Sequence, residues 1–365
     1  MTYQEWIKAV FISFFIASVS LVGVNYIVDP MQQYRISSFY PIYFAPSKER
    51  HLNAGLAKNY NYNSIIFGTS HAENFIISEV ENSLDFDQTI KLCLAGARGE
   101  ELSITLQTAI KNNKKLENVL WGVDILSFSE PPAGKRDKNG YFPAYLYDKE
   151  IYNDYKYLYS MDTFLHSLRA LFYPTIKSHN LWYDLDHMYQ WQHQHEKDFT
   201  IDTVLKSYTN MKRGYSLKDK NEYSFACLKK NFDENFLDTI KNNPQIHFKI
   251  FFPPYSLLHF KVLEENKILD DVTDFKRYFV KKLSTFPNVT LYDFQIADHI
   301  TSNLHNYKDT SHYHQKINSW MLEEMSQGKY IISDENIDEN IKLLKEQVAN
   351  YTFDTKIDAA KKYCD

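Results

Sequence analysis

The stretch Asn63–Ser70 reads NSIIFGTS and decides how the rest of the chain is interpreted. Its run Ser-Ile-Ile-Phe is uncharged and β-branched or aromatic, which is typical of a buried strand. The run leads directly into Gly68, which permits a tight turn, and then into Thr69 and Ser70. In parallel sheets ligands bind at the carboxyl ends of the strands, so Ser70 can face a ligand crevice. A plain turn or a helix N-cap explains this serine equally well on the pattern alone.

Four further apolar runs share this strand character and lie at Ile90–Leu94, Val119–Val123, Phe248–Phe252 and Val289–Tyr292. Helical patterns lie between and after them, at Gly99–Lys111, Lys261–Lys282 and Gln315–Met325. Strands that alternate with helices predict an α/β fold with a parallel, doubly wound sheet.

The third and fourth strands are too far apart for a single crossover, so residues from about 129 to 235 are predicted to form an insertion. The start of the insertion is rich in aromatic residues: Tyr141, Phe142, Tyr145, Tyr147, Tyr152, Tyr155, Tyr157 and Tyr159. These rings can form a sugar-stacking surface, or they can be the insertion's own core and its contact with the sheet. From about residue 334 onward we expect a charged helical tail.

The segment Ala9–Val28 reads AVFISFFIASVSLVGVNYIV, without any charge, and at 1.5 Å per residue it spans roughly 30 Å. It predicts a membrane anchor over residues 1–30, ended by Asp29-Pro30 and followed by a soluble domain over residues 31–365. A cleaved signal peptide is the alternative, but the run is longer than a typical signal core and no A-x-A site follows it. Lys8 and Arg35 on its two sides leave the orientation undetermined by charge.

Composition excludes several classes of protein. The net charge is −5, which argues against a nucleic-acid partner. The three cysteines show no C-x-x-C spacing, so neither a disulfide scaffold nor a cysteine zinc site is expected. No glycine-rich phosphate-binding motif occurs either, and we expect no cofactor.

A second motif, Asp309-Thr310-Ser311-His312-Tyr313, follows the last predicted strand. Its D-x-x-H spacing lets a carboxylate orient an imidazole, which can then act as a base toward a serine elsewhere in the fold. The same spacing occurs at Asp184–His187, within the insertion. Position separates the two copies, because only the 309–312 copy follows a sheet strand.

Together, the strand-GTS block and the later D-x-x-H block resemble the SGNH (GDSL-like) hydrolase superfamily. The resemblance implies a three-layer α/β/α fold with a flavodoxin-like sheet. It also implies that Ser70 is the nucleophile, that Asp309 and His312 complete the triad, and that Gly96 and Ser70 donate N–H groups to an oxyanion hole. The third block departs from the family, since Asp124 stands where an asparagine oxyanion donor is usual. A carboxylate there repels an oxyanion unless it is protonated or turned away.

The anchor, the segment Asn25–Pro30, the GTSH block and the terminal DxxHY resemble one branch of that superfamily. This branch comprises membrane-anchored polysaccharide O-acylation proteins, such as the alginate acetylation proteins and the DltD-like D-alanyl transfer proteins. The resemblance implies acyl transfer, with acetyl as the expected group, to a polysaccharide of the cell envelope. The donor would be a separate multi-spanning membrane acyltransferase, and the soluble domain would face the periplasm or cell exterior.

Other side chains have weaker signals. His71 either contacts substrate or caps the following helix, and Arg98 either binds an anionic sugar or pairs with Glu100 or Glu101. The histidine-rich segment, with His187, His193, His195 and Glu196, is interpreted as a solvated polar surface rather than a metal site.

Three functions are compatible with these motifs. The first is an acyltransferase that passes an acyl group from Ser70 to a sugar hydroxyl. The second is a carbohydrate esterase that uses the same triad with water as the acceptor. The third is a non-catalytic docking protein of a polysaccharide acylation or export complex. In the docking alternative, the serine hydroxyl and the imidazole need not lie within hydrogen-bond reach.

Overall fold

The five predicted strands all form, and they pair in parallel into one sheet. The computed structural model describes residues 1–129, 131–134, 142–172 and 181–353. The strands are β1 (Ser64–Gly68), β2 (Thr89–Cys93), β3 (Asn118–Gly122), β4 (His247–Phe252) and β5 (Val289–Asp293). Their order is β2-β1-β3-β4-β5, the doubly wound order in which the connections change direction between β1 and β3. The prediction of a parallel α/β sheet is confirmed.

Helices connect and cover the strands. The first half of the chain holds α1 (Tyr3–Val28), α2 (Glu49–Asn59), α3 (Ser70–Glu73), α4 (Ile77–Leu84), α5 (Gly99–Asn112), α6 (Ala144–Tyr147), α7 (Tyr155–Leu158) and α8 (Met161–Phe172). The second half holds α9 (Ile201–Ser216), α10 (Phe225–Phe232), α11 (Asp238–Lys241), α12 (Leu257–Glu265), α13 (Leu269–Leu283), α14 (Asp298–Thr301), α15 (Gln315–Ser326) and α16 (Ile337–Asn350). A π-helical turn, Asp233–Leu237, joins α10 to α11.

Both faces of the sheet are covered by packed side chains. Each strand contributes to both faces, because its successive side chains point in opposite directions. On one face, Trp121 of β3 packs against Phe236 of the π-helical turn and against Phe279 of α13. On the other face, Phe251 of β4 contacts Phe75, which follows α3, and Phe294, which follows β5. All six rings are at most 1% exposed. The sheet is thus the middle of three layers.

The predicted helix Lys261–Lys282 is wrong as a single element. The chain forms α12 and α13 instead, with a break at Lys267. Lys267 adopts a left-handed conformation, with φ of 58°, which stops one helix before the next begins. Apolar residues on both sides of the break are buried, so the apolar pattern continues across it although the helix does not.

The predicted insertion divides into parts with different roles. Its last part, α10, belongs to the sheet's own covering layer, because Phe232 packs on Phe279 with ring centroids 4.6 Å apart. The aromatic residues at the start of the insertion include a buried group and an exposed group. Phe142, Tyr147 and Tyr157 are buried, whereas others lie on the surface: Tyr152, Tyr155 and Tyr159. Tyr141 lies outside the described residues.

The chain's last described helix, α16, packs back onto the domain. Four apolar side chains at helical spacing are buried along one of its faces: Ile337, Ile341, Leu344 and Val348. They lie against α12 and α13. The charged side chains that dominate this segment in sequence occupy the opposite face.

The N-terminal helix α1 is long and apolar enough to cross a membrane, and the most apolar part of it is not buried by the rest of the chain. It ends where the sequence predicts, because Asp29 adopts a left-handed conformation as the C-cap. The Asp29 carboxylate accepts hydrogen bonds from the backbone N–H groups of Gln33 and Tyr34 and from the Tyr157 hydroxyl. The end of α1 is therefore joined to the domain by buried polar contacts.

Gly68 lies where β1 approaches β3 most closely. Its φ is +136°, and a Cβ atom there would lie 2.5 Å from the carbonyl oxygen of Gly122. That contact is with backbone on a central strand and cannot be relieved by a side-chain rotation. The residue therefore must be glycine for β1 to end at this edge and turn toward Ser70.

We expect Gly68→Ala to lower the free energy of unfolding by about 1–3 kcal/mol, because it adds both strain and a backbone clash. Gly214→Ala is the matched control, since no atom lies within 4 Å of a Cβ built on this glycine of α9. The control is expected to be neutral or stabilising by up to about 1 kcal/mol. Thermal and urea unfolding of the full-length variants in detergent measure both effects. Equal stability of the two variants would contradict this explanation of Gly68.

Candidate active site

Ser70 lies at the carboxyl edge of the sheet, directly beyond the end of β1. It is the first residue of α3, two positions after Gly68. Gly68 pairs with Cys93 of β2 on one side and with Gly122 of β3 on the other. Ser70 therefore stands beside the point where the sheet connections change direction, which is where doubly wound sheets bind ligands.

The structure brings together the three residues that the sequence predicts as a triad. Ser70 Oγ lies 2.7 Å from His312 Nε2. On the far side of the ring, His312 Nδ1 lies 2.8 Å from Asp309 Oδ2. A carboxylate can only accept at that position, so Nδ1 carries the proton and Nε2 is left to accept the Ser70 hydroxyl proton. This is the arrangement of a nucleophile, a base and an orienting acid.

The local fold of residues 309–313 sets the imidazole in place. Asp309 Oδ1 accepts hydrogen bonds from the backbone N–H groups of Ser311 and His312, at 2.9 and 2.8 Å. The Tyr313 hydroxyl donates to the carbonyl oxygen of His71 at 2.9 Å, which ties this loop directly to the residue after Ser70. Tyr307 and Tyr313 form an isolated antiparallel bridge at the base of the loop.

The negative charge of Asp309 is stabilised next to Nδ1 of His312. Burial acts to raise the pKa of this carboxyl, but the adjacent His312 and the hydrogen bonds from His312 and Ser311 outweigh burial and lower the pKa below its usual range. Asp309 therefore stays ionised near neutral pH. An ionised Asp309 holds the proton on Nδ1 of His312, and it would stabilise an imidazolium at this position.

His71 lies behind the imidazole of His312. The two rings stack, with centroids 4.6 Å apart and an interplanar angle of 16°. His71 Nδ1 is 3.1 Å from Thr69 Oγ1, and the residue is only 6% exposed. Burial, and then the nearby His312 charge, lower the pKa of His71, so it remains neutral beside the base. Its predicted alternatives were a substrate contact or a helix cap, and the structure places it as a support for the ring of His312.

The residues predicted around the oxyanion follow the ends of the two strands next to β1. Gly96 lies after β2 in a left-handed turn, with φ of 56°, and is exposed. Asp124 lies after β3, where its Oδ1 accepts the backbone N–H of Leu126 at 3.1 Å. Burial raises the pKa of Asp124, while Tyr255, the Leu126 N–H and the charge of His312 act to lower it. The net effect favours the protonated carboxyl at this position more than in an ordinary aspartate.

Arg98 lies at the start of α5. Its backbone N–H donates to Glu101 Oε2 at 3.2 Å, and its Nη1 donates to Ser129 Oγ at 3.3 Å. Its charge also acts to lower the pKa of Asp124. The contact with Glu101 is a backbone hydrogen bond that caps α5, so it does not test the predicted ion pair of the Arg98 guanidinium with Glu100 or Glu101. Whether the guanidinium binds an anionic sugar stays a prediction.

Sequence reasoning missed Trp191, which the insertion contributes to the site. Its indole Nε1 donates to the carbonyl oxygen of Ser70 at 2.9 Å, and its ring meets His312 edge-on at 5.4 Å between centroids. Lys308 places its ammonium 4.2 Å from the centre of the same indole. Lys308 directly precedes Asp309 in the sequence, so its place near the site could have been predicted. Trp191 belongs to no motif, and no sequence signal in the insertion points to it.

The second D-x-x-H copy has the same internal hydrogen bond without a serine. His187 Nδ1 lies 2.8 Å from Asp184 Oδ2, as in the triad. Among the described residues, however, a serine hydroxyl hydrogen-bonds to the outer nitrogen of His312 and not to that of His187. The D-x-x-H spacing is therefore enough to form the carboxylate–imidazole contact. Only the position of the 309–312 copy in the fold brings a serine hydroxyl to the other ring nitrogen.

The histidine-rich segment forms local contacts. His195 Nδ1 lies 2.7 Å from Asp198 Oδ2, and the His193 ring packs on Trp182. In the described part of the chain, no three histidine, cysteine or acidic side chains are grouped so that they would hold a metal ion.

Comparison with known proteins adds no assignment. A scan against protein-family models finds no match to this chain. A search of curated proteins finds no significant match either.

Proposed function

We propose that this protein is a serine-dependent acyl-transfer enzyme with an SGNH-like fold, in which Ser70, His312 and Asp309 carry the chemistry. The observation that supports it most strongly is the 2.7 Å hydrogen bond between Ser70 Oγ and His312 Nε2, with Asp309 on the opposite nitrogen. Such a contact serves a nucleophile and its base. A docking protein would not need it, so the bond favours a catalytic role over a docking one.

The proposed reaction has two halves. Ser70 Oγ attacks the acyl carbonyl carbon while His312 Nε2 takes the hydroxyl proton. The tetrahedral intermediate collapses, the bond to the leaving oxygen breaks, and that oxygen receives the proton from His312. In the second half, an acceptor hydroxyl attacks the acyl-serine and gives its proton to His312. Ser70 then leaves with that proton, which regenerates the free enzyme.

The oxyanion of each tetrahedral intermediate needs hydrogen-bond donors. The backbone N–H groups of Ser70 and Gly96 are the proposed donors, by resemblance to the SGNH superfamily. Asp124 takes the place of that superfamily's asparagine, and its raised pKa favours the neutral carboxyl, which can also donate. An ionised Asp124 would instead repel the oxyanion.

We propose a polysaccharide of the cell envelope as the acceptor, and acetyl as the group transferred. The anchor α1 would hold the domain at the cytoplasmic membrane, on the periplasmic or outer side. One helix cannot carry acyl groups across a bilayer, so a multi-spanning membrane acyltransferase is the proposed donor. These features rest on the resemblance of the combined motifs to membrane-anchored O-acylation proteins.

Hydrolysis by the same triad is the second candidate. About a quarter of the side-chain surface of His312 and of Asp309 is exposed, so water can reach this part of the site. An acyl-serine that water attacks before a sugar does gives a carbohydrate esterase. The competition between the two acceptors separates these functions.

We expect the full-length protein in detergent to release nitrophenol from p-nitrophenyl acetate and to place acetyl on an added oligosaccharide. Ser70→Ala should abolish both reactions, and His312→Gln should slow them by about 10²–10⁴-fold, because the base is removed. His187→Gln is the matched control, since it removes the imidazole of the other D-x-x-H pair, and it should leave the rates unchanged. Colorimetry and mass spectrometry of the sugar measure the two products.

Each result of this assay bears on the proposal. Acetyl released only to water would favour the esterase over the transferase. Turnover that survives in Ser70→Ala, or that falls equally in His187→Gln and His312→Gln, would contradict the assigned triad.

We also expect the ratio of kcat/KM of Asp124→Asn to that of the wild type to rise with pH. The wild-type carboxyl loses its proton as the pH increases and then opposes the oxyanion, whereas the amide keeps donating. The rise should approach about 10²–10³-fold at most, the effect of one oxyanion-hole donor. Asp219→Asn is the control, because Asp219 Oδ1 accepts a backbone N–H two residues on, as Asp124 does, but on an exposed surface. A ratio that is flat or falls with pH would contradict the proposed role of Asp124.

A further inference from the structure

The part of α1 from Ser18 onward does not stand free but packs against α7 and α8 of the insertion. The Ser18 hydroxyl lies 3.0 Å from the Tyr159 hydroxyl. Further along, Asn25 is fully buried and its side-chain amide donates to the carbonyl oxygens of Leu158 and Ser160, at 2.9 and 3.0 Å. These polar contacts, made from the side of an apolar helix, are of the kind that hold helices together within membranes.

Helix length places these contacts at membrane depth. The part of α1 before the first contact, Tyr3–Ala17, measures about 22 Å at 1.5 Å per residue. The hydrocarbon core of a bilayer is about 30 Å thick, so a membrane crossed by α1 must extend beyond Ser18. Placing the core as far toward the N-terminus as possible would bury Glu5 and Lys8 and still cover Ser18. The bilayer therefore reaches the level at which Tyr159 touches α1.

Two stripes of side chains on helix α8 suit a position between α1 and lipid. Its small side chains Thr163 and Ser167 are buried, and Ser167 Oγ donates to Asn25 Oδ1 at 3.2 Å. A second stripe, at positions 161, 165 and 168, consists of Met and two Leu, of which Met161 and Leu165 are 61% and 57% exposed. The small stripe allows a close approach to α1, while the apolar stripe points away from the protein.

The polar stripe of α8 consists of Asp162, His166 and Arg169, of which Asp162 and Arg169 are exposed and His166 contacts the domain. His166 Nε2 lies 2.9 Å from the Lys48 ammonium nitrogen. Beside α8, more apolar and aromatic side chains are exposed: Ile151, Tyr152, Tyr155 and Tyr159. Tyrosines are enriched where a protein passes from lipid to water. The exposed surface of α7 and α8 is therefore continuous with the exposed apolar surface of α1 and has the composition of a membrane interface.

We infer that α7 and α8 form a second membrane-contacting element, which lies in the outer part of the bilayer against the last turns of α1, and that its partner is lipid. The inference rests on the proposed anchoring by α1. Helix α8 buries its apolar stripe among the acyl chains near the headgroups, as interfacial amphipathic helices do. With two contacts instead of one, the domain is held in a fixed orientation on the membrane, and the Ser70 site stays at a fixed height above it.

Fluorescence quenching by lipid tests this inference on the full-length protein. The environment-sensitive dye NBD is attached to a single cysteine at position 165, with Cys227 and Cys364 replaced by serine and the buried Cys93 left in place. The protein is reconstituted into phosphatidylcholine–phosphatidylglycerol vesicles that carry a nitroxide near the carbonyl end of the acyl chain. Ile12→Cys, in the middle of α1, reports anchoring. Leu343→Cys, an exposed leucine on α16 near the opposite edge of the sheet, is the matched control.

We expect nitroxide lipid to reduce the emission at positions 12 and 165 at least about twofold, since both would lie within reach of the acyl chains. The emission at position 343 should not change. Quenching at 12 without quenching at 165 would overturn the inference and leave the anchor intact. Quenching at neither would overturn both the anchor and the inference.

Two further results would also decide against lipid as the partner. A blue-shifted but unquenched dye at position 165 would show that protein, such as a second copy of this chain, covers the stripe. Quenching at 343 equal to that at 165 would show adsorption of the whole domain to the vesicle. None of these outcomes depends on acyl chemistry, so the assay of the Ser70 triad tests the proposed activity separately.

Discussion

The hydrogen bond between Ser70 and His312 joins residues that lie 242 positions apart, and the site depends on it. A parallel sheet makes such a contact possible, because the carboxyl ends of all its strands meet at one edge. The loop with His312 is fixed to that edge at two places. Tyr313 binds the backbone beside Ser70, and Ser256, after β4, donates its backbone N–H and its hydroxyl to the carbonyl oxygen of Thr310. The imidazole is therefore held by backbone contacts and not only by its own side-chain bonds.

The groups around the imidazole of His312 favour a positive charge on that ring. Asp309 stays ionised on one side of His312, and His71 stays neutral on its face, because burial and the neighbouring charge lower the pKa of His71. An imidazolium at His312 would therefore meet one full negative charge and no competing cation from the ring stacked on it. Trp191 meets the imidazole edge-on, and its indole N–H ties the insertion to the carbonyl oxygen of Ser70. The insertion is accordingly part of the site, as well as the element that contacts α1.

The sequence predicts the sheet and the triad well, for physical reasons. Buried parallel strands are typically short, mainly apolar runs, and the sequence predicts all five strands with boundaries within one residue. The D-x-x-H spacing determines its own hydrogen bond, as the Asp184–His187 pair shows independently. The break at Lys267 was missed because a left-handed residue leaves no trace in an apolar pattern. Trp191 and the stacking of His71 were missed because they depend on contacts between distant segments.

The sequence does not predict which aromatic residues of the insertion are buried and which are exposed. A cluster of tyrosines has the same composition whether it is a core or a surface, and here Tyr157 is buried while Tyr155 is exposed. Only the position of α1 beside α7 and α8 shows why both occur in one short segment. The buried ring accepts and donates hydrogen bonds at the end of α1, with the backbone N–H of Met31 and the carboxylate of Asp29. The exposed ring lies on the surface beside α1.

The central claim is that Ser70 is the residue that becomes acylated. The most direct measurement is the intact mass of the full-length protein, quenched in acid within the first turnovers of an activated acetyl ester, followed by peptide mapping. A single added acetyl group on Ser70, absent in Ser70→Ala and cleared over time by an acceptor or water, is the result predicted here. Acetyl found only on lysines or the N-terminus, or turnover without any acyl-serine, would contradict the account.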